Sequence, residues 1–166
     1  MTGRGGGHAG EVRHGWLPAL RLYVVVLAPL MLVWETAQMP LYTLWQTGTV
    51  GEITYAIVHC TLGDALIGLA ALTWALVLVG SPEWPRARFR SVATATLAIG
   101  LGYLVYSEWV NIELRGSWAY TDAMPRLPPF RTGLAPLLQW LAVPPIALWA
   151  ARRACFRRDR VAETVR

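Results

Sequence analysis

The chain has 166 residues, 55% of them hydrophobic and only 15% charged, with a net charge of +5. A soluble domain carries about 25% charged residues, and disorder needs low hydrophobicity, so both classes are excluded for most of the length. All 15 basic residues are Arg. They flank hydrophobic runs and leave no basic domain once those runs are set aside, which excludes nucleic acid as a partner.

In chain order, Met1 to Gly10 is Gly-rich and polar, and residues 1–18 are expected to form a disordered cytoplasmic segment. The first apolar run, about 20–39, is too long for a signal-peptide core and lacks a small-residue cleavage site after it. It is expected to stay as a helix. Runs at about 53–79, 91–110 and 134–151 follow. All four meet the roughly 17–25 residues that a spanning helix needs, and the second is expected to tilt. Pro29, Pro144 and Pro145 predict kinks whose freed carbonyls neighbouring helices resatisfy. The predicted fold is all-α: an integral membrane four-helix bundle over 19–151, then a basic cytoplasmic tail over 152–166.

Orientation follows from the Arg distribution. Twelve Arg residues fall in the N-terminal segment, the second loop and the tail, against three in the third loop and none between Pro40 and Glu52. Both termini are therefore expected in the cytoplasm, with loops one and three outside. Trp34, Tyr42, Trp45, Tyr55, Trp109, Trp118 and Tyr120 fit an outer aromatic belt, and Trp16, Tyr23, Trp84 and Trp149 an inner one. The third loop, Asn111 to Gly133, is rich in aromatic residues and proline, which predicts an ordered outer cap. Cys60 and Cys155 belong at different depths, so no disulfide is expected.

Polar side chains within spans are costly and usually face a bundle interior or a wet cavity. Here they are Glu35 and Gln38, His59, Cys60 and Asp64, Glu108 and Asn111, and Gln139. With a rise of 1.5 Å per residue, Asp64 is the deepest, about 16 Å from the outer helix end. Every helix contributes a polar group to the outer half, while the inner half carries almost none beyond Thr73. His59 and Asp64 lie roughly 140° apart around their helix, so a partner for His59 is expected on another helix. Glu35, Asp64 and Glu108 are the candidate catalytic residues, because carboxyls in a low-dielectric pocket can serve as general acid and base. His59, Asn111 and Gln139 are candidate substrate-binding residues, with Trp118 and Tyr120 roofing the pocket.

Each has a bland reading. Glu35 can snorkel to the interface, Asp64 can act as helix glue, His59 can be a hydrogen-bonded bundle residue, and Cys60 can be a small buried apolar group. No metal is expected, since His59 has neither a Glu-x-x-His nor a His-x-x-x-His context. No cofactor is assigned. Ser107 and Ser117 sit too near a helix end and a loop for nucleophilic catalysis. Three functions stay open: an acid/base enzyme on a hydrophobic small molecule, an accessory subunit of a larger membrane complex, and a proton or ion pathway. The pathway is the weakest, because the polar residues stop at mid-depth.

Trp34-Glu35, Pro40-Leu41-Tyr42, His59-Cys60-Thr61-Leu62-Gly63-Asp64, Glu108-Trp109-Val110-Asn111, Trp118-Ala119-Tyr120 and Pro136-Leu137-Leu138-Gln139-Trp140 resemble stretches of small, uncharacterised four-helix bacterial inner-membrane proteins. That resemblance implies a multi-pass inner-membrane location and brings no activity. Gly116-Ser117-Trp118-Ala119-Tyr120 before a Pro-rich segment and a last helix is similar to membrane carotenoid and terpenoid cyclases and hydratases. That similarity implies intramembrane acids acting on an isoprenoid chain. The chain departs from that pattern in carrying Gln139 instead of a Glu pair, and four spans instead of six or seven.

Overall fold

The computed structural model describes residues 16–164. Five α-helices follow in order: α1 Trp16–Gln38, α2 Leu44–Thr47, α3 Val50–Val79, α4 Phe89–Trp109 and α5 Leu134–Thr164. A short two-stranded ladder, β1 Arg126–Leu127 with β2 Thr132–Gly133, precedes α5. Among the described residues, four helices are long and apolar enough to cross a membrane: α1, α3, α4 and α5. The chain is thus a multi-pass membrane protein of all-α class, with its spanning helices in contact with lipid. The spanning window of α5 is 44% buried and those of the other three 22%, so α5 is the most buried of the four.

Local chemistry sets the helix ends. Thr49 and Glu52 form a capping box at the start of α3: Glu52 N–H donates to Thr49 Oγ1 at 3.3 Å, and Thr49 N–H to Glu52 Oε2 at 2.8 Å. Two backbone donors that a helix start leaves unpaired are thereby satisfied. Past Gln38 the chain tightens into a 3-10 turn over Met39–Leu41 that contains Pro40, which cannot continue an α-helix. The last turn of α4 widens into a π-helical turn over Val110–Leu114, which carries Asn111 towards the interior.

The core is built on close approaches. Gly68 of α3 lets α1 come near: a Cβ there would lie 2.6 Å from Leu27 Cδ2, and Tyr23 donates its hydroxyl to Gly68 O at 3.4 Å. Gly100 of α4 receives the ring of Trp140 from α5, and a Cβ at Gly100 would collide with it. Lipid gives helices no hydrophobic drive to associate, so such van der Waals contacts at small residues hold the bundle.

Several expectations are corrected. α1 begins at Trp16, so residues 16–18 are helical; residues 1–15 lie outside the described residues. α3 and α4 start at Val50 and Phe89, a turn or less before the sequence estimate. The expected tail is no separate segment, because α5 continues to Thr164; residues 165–166 lie outside the described residues. Tyr23 and Trp84 are fully buried and belong to no interface belt. Arg side chains on this stretch of α5 pack on aromatic faces, Arg152 over Phe89 at 4.6 Å and Arg153 over Trp149 at 4.9 Å, which extends the helix beyond the apolar run.

The first and third loops are joined. Thr43 N–H donates to Ala119 O at 2.9 Å, and Thr121 N–H to Leu41 O at 2.9 Å. Tyr42 and Tyr120 pair their rings at 5.2 Å. Both loops lie at the same end of the bundle, and this end carries the polar residues.

Candidate functional site

At that end, the four spanning helices enclose a cavity of about 780 Å³. Glu35, His59, Asp64, Glu108, Asn111, Trp118 and Gln139 all line it. Tyr120, expected in the roof, does not. It is buried beside the cavity and accepts a hydrogen bond from Gly133 N–H at 3.1 Å. A Cβ at Gly133 would meet the Tyr120 ring at 2.7 Å, so this Tyr fastens the third loop to the start of α5.

The centre of the polar set is Gln139, 1% exposed. Its Nε2 donates to Glu35 Oε1 at 2.9 Å and to Asp64 Oδ2 at 3.1 Å, and meets Met31 Sδ at 3.1 Å. Its Oε1 accepts from Gln38 Nε2 at 3.3 Å, and the same Gln38 nitrogen donates to Glu35 Oε1 at 2.9 Å. One amide therefore ties α1, α3 and α5 together. Glu35 Oε1 and Asp64 Oδ2 thus share one donor nitrogen, that of Gln139. Trp140 and Trp118 also line the cavity, and their buried indole N–H groups have no hydrogen-bond partner.

Among the described residues, none of the three acids meets an Arg within ion-pair distance; the pair at this end is Arg131 with Glu113, 3.8 Å apart and largely exposed. Nor do the acids converge closely enough to form a metal site. His59 is exposed at the rim and stacks on Tyr55 of its own helix, centroids 5.5 Å apart and planes 16° from parallel. The expected partner on another helix is thus replaced by the residue one turn back. Asn111 donates to Ser107 O at 2.8 Å, also one turn back. Tyr42 closes the loop side of the cavity. Burial pushes its phenol well above the ordinary tyrosine range, and the nearby Glu108 and Glu35 carboxyls add to this, so it stays protonated.

Sequence reasoning did not assign Trp140, Tyr42, Tyr103 or Arg115 to the site, and all four line the cavity. Trp140 was legible only through its fit onto Gly100, and no linear spacing reports a contact between two helices. Arg115 follows from the π-helical turn, which a regular helical period does not anticipate. No protein-family model, curated protein or solved structure matches the chain.

Proposed function

We propose that this is a bacterial inner-membrane enzyme with both termini in the cytoplasm. In this reading its cavity lies in the outer half of the bilayer and admits a lipid-like or isoprenoid molecule. Glu35 and Asp64 exchange a proton with that molecule as general acid and base. Glu108 sets the charge around them, Gln139 holds the pair in register, and His59 with Asn111 and Trp118 lines the way in. The observation that carries this reading is that the buried Gln139 amide nitrogen bonds both the Glu35 and the Asp64 carboxyl, at 2.9 Å and 3.1 Å, beside the cavity. Two carboxyls gathered on one amide beside a cavity can share a proton and pass it to an occupant. The resemblance to small inner-membrane proteins and the Arg asymmetry support the location.

The accessory-subunit reading has its own support, because the same amide bridges three helices and so serves as glue. The pathway reading has less. Beyond Asp64 the interior is filled by Tyr23, Leu27, Leu72, Val92 and Leu148, all fully buried.

The deciding experiment is complementation of a deletion strain by the Glu35→Gln, Asp64→Asn double variant. Both changes keep hydrogen-bonding capacity and remove the proton. The enzyme reading expects a loss on the order of 10²-fold or more at normal abundance. Full complementation sinks it and leaves the accessory subunit ahead.

A further inference from the structure

Groups outside the Glu35–Asp64 pair decide what the polar end of an occupant must be. Glu108, in the last turn of α4, is only 6% exposed, and its Oε2 has no hydrogen-bond partner. Gln38 is 5% exposed, and its Oε1 is likewise without a partner, because only its Nε2 is engaged. Both residues line the cavity, and both orphan atoms are acceptors. Two nearby donors are spent, Gln139 Nε2 on Glu35 and Asp64 and Asn111 Nδ2 on Ser107, and the indole N–H groups of Trp118 and Trp140, which also line the cavity, reach neither acceptor. Buried acceptors without donors are costly and call for one from outside the chain.

Charge and shape narrow the donor. The lining carries Glu35, Glu52, Asp64 and Glu108 against Arg115, so an anionic head group is disfavoured. Tyr42, Tyr55, Tyr103 and Trp118 supply aromatic faces, which attract cations. Leu104 and Ile67 supply apolar wall.

We propose that the cavity binds a primary ammonium group carried on a hydrocarbon chain, with its N–H donors on Glu108 and Gln38 and its charge against the aromatic wall. An ammonium offers three donors and a positive charge. An alcohol lacks the charge, and a carboxylate lacks both. The inference rests on the reading that the cavity admits a membrane-soluble molecule, and does not depend on proton transfer. The ammonium belongs either to a free amine or to an aminophospholipid head group.

The test uses the full chain in phosphatidylcholine nanodiscs, titrated calorimetrically with dodecylamine, dodecanol or dodecanoate against empty discs. Dodecylamine is expected to bind at one site, at least tenfold more tightly than dodecanol. Glu108→Gln is expected to weaken it tenfold or more. Gln38→Leu provides the same readout should Glu108→Gln fail to fold. Gly63→Leu, where nothing lies within 4 Å of an added Cβ, is expected to fill the cavity and abolish binding. Displacement of dodecylamine on adding phosphatidylethanolamine assigns the head group as the source, and an unchanged isotherm assigns a free amine; both uphold the site. Dodecanol or dodecanoate binding as tightly as the amine, yet lost in Gly63→Leu, overturns the ammonium and leaves the cavity reading standing. Binding by none of the three probes removes both.

Discussion

Replacing Gln139 with Leu separates a polar network that holds the bundle from one that merely occupies it. Leu has nearly the same volume, so the change removes hydrogen bonds and opens little space. Gln139 makes at least three interhelical bonds: its two N–H groups serve Glu35 Oε1 at 2.9 Å and Asp64 Oδ2 at 3.1 Å, and its Oε1 accepts from Gln38 at 3.3 Å. In a membrane protein an interhelical hydrogen bond averages about 0.6 kcal/mol, with a maximum near 1.7. Three give about 2 kcal/mol. The value sits well below the sum expected in water, because the separated helices also find partners in the membrane. The measurement is reversible unfolding of purified protein in detergent micelles, wild type beside Gln139→Leu, at neutral pH. A loss of about 2 kcal/mol is more than tenfold in the folding equilibrium. A variant within about 0.5 kcal/mol of wild type, the range of an unremarkable substitution, would refute the claim that this amide ties α1, α3 and α5 together.

Three further outcomes are expected. Gly100→Val places a side chain against the buried Trp140 ring and is expected to cost about 1–3 kcal/mol, whereas Gly102→Ala, with nothing within 4 Å, leaves the unfolding transition unmoved. Tyr120→Phe removes the acceptor for Gly133 N–H. It is expected to cost about 1 kcal/mol, seen as faster hydrogen exchange at the Gly133 amide. Single cysteines at Thr47 and Ala123, in a background without native cysteines, are expected to label from outside intact cells, and one at Ala87 only after permeabilisation; external labelling at Ala87 reverses the proposed orientation.

How much of this was legible in the sequence depends on whether the signal is local. Spans are local: a run of apolar residues reports itself, and the four helices fall where the runs are. Their ends were less legible. α5 runs past Ala151 because Arg152 and Arg153 pack on Phe89 and Trp149, and an Arg-rich stretch read alone resembles a solvated tail. The convergence of Glu35, Asp64, Glu108 and Gln139 followed from counting depth along each helix. Depth is linear in residue number, but direction around the helix axis is not read so simply. His59 illustrates the difference: its depth was legible, while its stacking on Tyr55 depends on rotamers at the rim. Tyr120 shows the same limit in a loop. An aromatic residue in a Pro-rich segment can line a cavity or pin a backbone, and only Gly133, 13 residues on, decides between them.

Trp140 connects the two halves of the bundle. Its ring lies on Gly100 in the packed half, and the same residue lines the cavity in the polar half. The residue before it is Gln139, so one turn of α5 positions both the amide that bonds the acids and the indole that packs on Gly100. Displacing that turn cannot disturb packing alone. Gly100→Val, which pushes on the ring, is therefore expected to lower stability and complementation together. Glu35→Gln with Asp64→Asn keeps the hydrogen-bonding groups and the Trp140 contact with Gly100, and is expected to lower complementation while leaving the unfolding transition nearly in place. If the double variant instead unfolds as early as Gly100→Val, the acids are holding the helices together and the glue reading explains them. A stable double variant that does not complement is the pattern that glue cannot produce, because glue that still bonds still holds.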